Sequence, residues 1–169
     1  MPLPSELIER LADAGARREL GRLLDALAGA APLKLERGVW TPSWAGSSTA
    51  GAYTYGVQRG DWARLDPIVW LSLSLRITAI GTPPAGVMRL LGLPFSANPL
   101  SERIGGVCFS ILSQLDLSAG KFALTGRIGP GSNFVDLWES ADNAGVAAWP
   151  ATQFTNAACY VSGFGMYWV

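Results

Sequence analysis

The sequence contains no histidine and only two cysteines, Cys108 and Cys159. The lack of histidine excludes Ser-His-Asp and Cys-His nucleophilic sites and every metal site built on imidazole. A zinc site would need carboxylates for half of its ligands, and no cluster of Asp and Glu supplies them. The turn at Gly129–Ser132 also lacks the spacing of a phosphate-binding loop. We therefore expect no metal and no cofactor.

Carboxylates are scarce in the larger, C-terminal part of the chain. A glycosidase needs only a pair of carboxylates, so the missing histidine does not exclude one. Asp136 and Glu139 are three positions apart, and in a strand such residues point to opposite faces. We expect a protein that is not an enzyme, and a capsule depolymerase is kept as the third alternative.

Charge is low and unevenly distributed. Charged residues form 15% of the chain and the net charge is zero. Residues 1–36 hold eleven of the 13 basic and 13 acidic side chains. No basic excess indicates nucleic acid or anionic lipid. Since an average domain is about a quarter charged, the low charge after residue 36 suggests that partners cover part of the surface.

Long apolar runs are also missing. No stretch reaches the roughly 18 apolar residues that a membrane span needs, and the N-terminus lacks the apolar core of a signal peptide. Cys108 and Cys159 lie in apolar, strand-like runs, where a free cysteine behaves as a small hydrophobic residue. This favours two buried thiols over a disulfide.

What the sequence does contain begins with a helical pattern. Residues 1–31 predict one weak helix or two short ones, with Ser5 as the N-cap and Gly29 near the C-terminal end. Leucines at a spacing of three to four form the narrow apolar seam typical of helices that dock or bundle. We expect this segment to attach the chain to tail or capsid proteins of a particle, or to form a homotrimer.

After Pro32 the pattern changes to β. The run from Ile68 to Thr78 predicts a strand with one buried face, because from Val69 onward apolar residues at odd positions alternate with polar ones and Trp70 at even positions. Five shorter apolar runs follow, separated by Gly, Pro, Asn and Asp: Val87–Leu93, Ile104–Leu112, Lys121–Ile128, Phe134–Glu139 and Ala158–Val169. Short strands without intervening helices predict an antiparallel β-sandwich, jelly-roll-like, over residues 38–169.

Tryptophan and tyrosine are more numerous than one core of this size needs, with seven Trp and four Tyr. Trp70 lies on the polar face of its strand, where a ring serves a subunit interface or a sugar-stacking platform. Six other rings lie in or beside Gly/Ser/Asn-rich segments and are the glycan-binding candidates, because recognition residues usually sit on loops. They are Trp44, Tyr53, Tyr55, Trp62, Trp138 and Trp149.

The order of several motifs resembles a β-sandwich domain of phage tail fibres, head fibres and related receptor-binding proteins. That family typically opens with a G-x-W-T-P segment, then a turn and strand, a GLPF motif and a late turn before the last strand. The matching segments here are Gly38–Pro42, Gly60–Val69, Gly92–Phe95, and Gln153–Asn156 followed by Tyr160–Gly163. The resemblance covers residues 38–169, with Trp62 in place of the usual Tyr and Asp66-Pro67 in place of the usual Gly-Asn.

The resemblance implies a non-enzymatic, trimeric fibre head whose receptor-binding residues follow no fixed pattern. We therefore expect a fibre or spike protein on the surface of a phage, or of a phage-like particle such as a gene transfer agent, that is assembled in the bacterial cytoplasm and recognises a host-surface polysaccharide. The alternative is a structural decoration or adaptor protein of the particle that binds no receptor. Neither nucleic acid nor membrane insertion is expected.

Overall fold

The computed structural model describes residues 15, 18–23, 34–100, 102, 104–142 and 144–169. The chain divides into two compact units, Met1–Leu33 and Lys34–Val169. Residues 15 and 18–23 are helical, and the remainder of the predicted N-terminal helix lies outside the described residues. Within the part of the chain that the structure describes, no helix is long and apolar enough to span a bilayer.

The second unit is built almost entirely of antiparallel strands. Their bounds are β1 Leu35–Trp40, β2 Ser43–Gly46, β3 Ala52–Leu65, β4 Ile68–Thr82, β5 Met88–Leu91, β6 Gly105–Ser113, β7 Ala123–Ile128, β8 Phe134–Ala141, β9 Ala144–Ala148 and β10 Tyr160–Trp168. A short 3₁₀ turn, Ala151–Gln153, precedes β10. The six predicted strands correspond to β4, β5, β6, β7, β8 and β10, whereas β1, β2, β3 and β9 were not individually predicted.

The strands form one sheet in the order β1-β3-β4-β10-β6-β7-β8-β5-β2, and β9 pairs with β8. The two ends of this sheet come together, because the Trp44 backbone N–H in β2 donates a hydrogen bond to the Tyr55 hydroxyl in β3 at 2.8 Å. Side chains from both halves, such as Leu75 in β4 and Leu137 in β8, belong to a single buried cluster. The sheet therefore folds over one core, and the predicted fold class, a mostly β protein consistent with an antiparallel sandwich, is confirmed.

The alternation of β4 sets the two faces of its half of the sheet. The odd-numbered apolar residues from Val69 to Ile77 are all buried. Trp70, Ser72 and Arg76, at even positions, are exposed. Because side chains of a strand alternate between faces, this register also decides which side chains of neighbouring β10 point outward.

Two tryptophans lie over glycines of the neighbouring strand. Trp40 in β1 pairs with Gly60 in β3, and Gly38 pairs with Trp62 in the same ladder. A Cβ atom at Gly38 would lie 2.6 Å from Cζ2 of Trp62, too close for real packing. These glycines leave the space that the indole rings fill, which explains why Trp and Gly are interleaved in this part of the sequence.

Both cysteines are free thiols, as the sequence predicted. Cys159 is buried, and burial raises the pKa of its thiol to about 12. The prediction of burial is wrong for Cys108, which is exposed. Cys108 occupies an outward position of β6 between the buried Val107 and the half-buried Phe109.

Candidate functional site

Two of the six candidate rings belong to the core. Trp44 is 2% exposed and Trp149 is fully buried. Their ring centroids lie 6.0 Å apart, and Phe154 packs against both at 5.0 and 5.5 Å. The Trp149 indole N–H donates to the Asp116 carbonyl at 3.1 Å. The expectation that these two rings are exposed on loops is wrong, because their Gly- and Ala-rich flanks form close-packed strands and turns rather than open loops.

Tyr53 and Tyr55 lie half-buried at the margin of that aromatic cluster. The Tyr53 ring is 5.6 Å from Phe154 and its hydroxyl donates to the Ala50 carbonyl at 3.0 Å. The Tyr55 hydroxyl accepts from Trp44, as described above. Burial raises the pKa of both phenols, so both remain neutral well above physiological pH. Each of these two hydroxyls thus already takes part in a hydrogen bond within the protein.

Trp62 is half-buried in β3. It meets the Phe95 ring edge-on at 4.9 Å between centroids, and the Arg64 guanidinium lies over the Phe95 ring at 4.9 Å from its centroid. With Gly38 beneath it, the indole ring is held between two strands and the GLPF segment. Its main role is therefore to pack this segment against the sheet.

Trp138 is the candidate ring that lines an open groove. It lies in β8 and pairs with Thr125 in β7. The groove has a volume of about 310 Å³ and is lined by Thr125, Arg127, Trp138 and Val146. The Trp138 indole N–H is buried and has no hydrogen-bond partner among the described residues. The groove therefore combines an aromatic ring with a hydroxyl and a guanidinium.

A second surface with exposed rings lies on the outer side of β4, β10 and β6. This side carries a groove of about 510 Å³. Five of the side chains that line it are together called the apolar face: Trp70, Ile104, Cys108, Phe164 and Met166. Met166 pairs with Trp70 in β4, and Phe164 pairs with Cys108 in β6. These side chains therefore form one continuous patch across three strands.

Sequence reasoning identified Trp70 as exposed but missed the rest of the apolar face. The signal was present in β10, where Val161 and Tyr167 are two large inward residues separated by an even number of positions. Period-two alternation between them assigns Gly163 and Gly165 to the inner side, and hence Phe164 and Met166 to the outer side. Reading the run from Ala158 to Val169 simply as apolar concealed this alternation.

A polar groove borders the apolar face. It has a volume of about 310 Å³ and is lined by side chains that include Arg59, Asp61, Ser72, Ser74 and Ser162. Arg59 Nε lies 3.3 Å from an Asp61 carboxylate oxygen, and both side chains are largely exposed. The border therefore carries hydroxyls and one charge of each sign.

The two carboxylates of β8 lie in different environments. Glu139 is buried and one of its oxygens accepts the Ser118 backbone N–H at 3.0 Å. Asp136 accepts from Arg89 Nε at 2.9 Å, and both of these side chains are partly exposed. Among the described residues, no group of three or more His, Cys, Asp and Glu side chains could hold a metal ion.

Comparison with solved structures finds this fold in the Dettilon tailspike protein (gp208). The TM-score is 0.64 at 14% sequence identity, and the match covers 79% of this chain and 23% of the tailspike chain. At this identity the likeness shows the fold alone, that of a segment of a phage tailspike. No family model matches the chain, and the search of curated proteins finds no match.

Proposed function

We propose that the protein is a fibre or spike component on the surface of a phage or phage-like particle and that it recognises a host-surface glycan. Two observations support this: the fold is that of a tailspike segment, and the surface carries a ring-lined groove without a charge cluster. The setting follows from the neighbour's name and from the motif resemblance of residues 38–169. It includes assembly in the bacterial cytoplasm before display on the particle.

The groove around Trp138 is the observation that carries the proposal. A sugar presents an apolar ring face that stacks on an indole and hydroxyls that need hydrogen-bonding neighbours. Thr125 supplies a hydroxyl, Arg127 a guanidinium and Trp138 the ring. One ring contact is worth on the order of 1 kcal/mol. Useful affinity then requires several copies, since linked weak sites gain about 10²-fold or more in avidity.

A homotrimer supplies those copies in this proposal, and residues 1–31 attach it to tail or capsid proteins. The neutral sequence, with equal numbers of acidic and basic side chains, raises no electrostatic barrier to self-association. Removing residues 1–31 should weaken attachment to the particle and leave the β unit folded. Sedimentation of the truncated chain with purified particles, with circular dichroism as the check on folding, measures both.

The test of glycan recognition is a single substitution in the groove. Trp138→Ala should abolish binding to a glycan array and reduce adsorption to host cells at least tenfold, because the stacking platform is gone. Phe122→Ala is the matched control, since Phe122 is an exposed ring that does not line the groove. Both variants must keep the wild-type circular dichroism spectrum. Normal adsorption by Trp138→Ala would overturn the assignment of the site.

The second candidate is a structural decoration protein without a receptor, which the size of the apolar face favours. It predicts no glycan binding by the wild type and a chain that lies flat on a shell. The third, a depolymerase, would shorten host polysaccharide. We propose that this reaction does not occur, because Glu139 is buried and Asp136 is engaged by Arg89.

A further inference from the structure

We infer that the apolar face of β4, β10 and β6 is the surface through which copies of this chain meet. The inference deepens the proposed function by assigning the homotrimer contact to the β unit rather than to residues 1–31. It rests on the exposure of the face, on its area and on the charges along its border.

The exposure is large for residues of this type. Phe164 is 62% exposed, Met166 47%, Ile104 44% and Trp70 41%. With about 150–250 Å² for a large side chain, these fractions amount to on the order of 400 Å² of apolar surface. A patch of that size lies within the range of the largest apolar patch on a typical soluble monomer, about 300–600 Å², and such patches are often functional.

The area also fits a subunit interface. A stable interface covers about 800 Å² per partner, of which roughly 60% is non-polar. The apolar face supplies most of that non-polar share, and the neighbouring polar groove supplies a rim of serine hydroxyls. Interfaces with an apolar centre and a polar rim have this composition.

The border charges indicate a copy of the chain as the partner. Arg59 and Asp61 lie side by side at the edge of the polar groove, so this side of the rim carries one charge of each sign. When copies of one patch meet around a symmetry axis, the guanidinium of one copy can approach the carboxylate of the next.

The apolar centre is poorly suited to a glycan. Ile104 and Met166 offer no hydrogen bonds to sugar hydroxyls, and the groove that they line is mostly apolar. Trp138, by contrast, has a hydroxyl and a guanidinium beside it. The two surfaces are neighbours, because Cys108 pairs with Thr125 in β7 and Thr125 pairs with Trp138 in β8. We assign assembly to the β4, β10 and β6 side and recognition to the Trp138 side.

Cys108 makes the inference directly measurable, because it is an exposed thiol within the apolar face while Cys159 is buried. In the full-length wild type, light scattering at micromolar concentration should give about three times the chain mass of 17.9 kDa. Maleimide should label Cys108 slowly in this assembly. Phe164→Glu should give a folded monomer in which Cys108 reacts at least tenfold faster, because a buried unpaired carboxylate disfavours the contact.

The matched control is Phe122→Glu, which places the same charge at a ring of similar exposure, 66%, outside the apolar face. It should keep the wild-type mass and the slow labelling of Cys108. If Phe164→Glu fails to fold, dilution of the wild type supplies the monomer, and Cys108 labelling should accelerate as the mass falls.

Three results would overturn the inference: a monomeric wild type, an assembly in which Cys108 reacts as fast as in the monomer, or Cys108 protection that persists in a monomer. The outcome is separable from that of the glycan proposal. Trp138→Ala should keep the assembly mass and the Cys108 protection while it loses glycan binding.

Discussion

The packing of Trp40 over Gly60 allows a stringent test of the structure. Trp40 is 6% exposed, and its indole N–H donates to the Ser72 carbonyl at 3.0 Å. A Cβ at residue 60 would lie 2.5 Å from Cε2 of that ring, so Gly60→Ala forces the ring to move. Overpacking costs about 1–3 kcal/mol and the weakened hydrogen bond about 1 kcal/mol.

The same substitution also has a favourable term, because alanine is better than glycine within a strand by roughly 0.5–1 kcal/mol. The net expectation is a loss of about 2 kcal/mol in the free energy of unfolding. Urea unfolding followed by tryptophan fluorescence measures it. Gly81→Ala is the control, because a Cβ there would meet the Ala52 Cβ at an ordinary 3.7 Å.

Repeating Gly60→Ala in a variant with a smaller ring at residue 40 separates displacement of the ring from a general effect of the added methyl group. Trp40→Phe provides a smaller ring, and Gly60→Ala should cost less in that background than in the wild type, a coupling that a double-mutant cycle detects. If Gly60→Ala is as stable as Gly81→Ala, the ring does not lie over Gly60 and the described register of β1 and β3 is wrong.

Three further predictions concern packing, pH and binding. Leu73→Ala should cost about 2–5 kcal/mol in the free energy of unfolding because it empties a buried site, whereas Ser72→Ala on the outer face should cost little; equal costs would contradict the faces of β4. Burial raises the pKa of Tyr167 from 10.0 to about 12. The neutral phenol therefore contributes fully to folding stability below about pH 10, and this contribution is lost as the pH rises through 12. From about pH 8 to about pH 11 the urea midpoint should therefore decrease less in Tyr167→Phe than in the wild type. An equal decrease would refute this role of Tyr167. Glycan binding should change little between low and high salt and should survive EDTA, because a single Arg127 is not a charge cluster; a steep salt dependence or loss in EDTA would show that ions or metal drive it.

The β4 strand was predictable because its apolar and polar positions alternate without interruption. β3 was not, although it is almost as long, because its pairing with β4 shifts register between Ala52 and Tyr53 and again on either side of Tyr55. Each shift breaks the period of two that a sequence pattern can reveal. β2 and β9 have four and five residues, mostly small, which is too short for any period.

The candidate site was only partly predictable for a related reason. Trp44 and Trp138 each have a polar neighbour in the sequence, Ser43 and Glu139, yet one ring is in the core and the other lines a groove. The difference arises from which face of the strand each ring occupies, and for the four-residue β2 that depends on pairing with β5 and on contact with Tyr55. Sequence composition therefore predicts that some aromatic rings are exposed, but it does not predict which of them.

A reconstruction of the intact particle tests the central claim most directly. The account predicts the chain as a trimer at a distal position, with its Trp138 groove facing outward to solvent and its apolar face buried between copies. A chain that lies flat on a shell, with Trp138 covered by particle proteins, would contradict glycan recognition and establish a structural decoration protein instead.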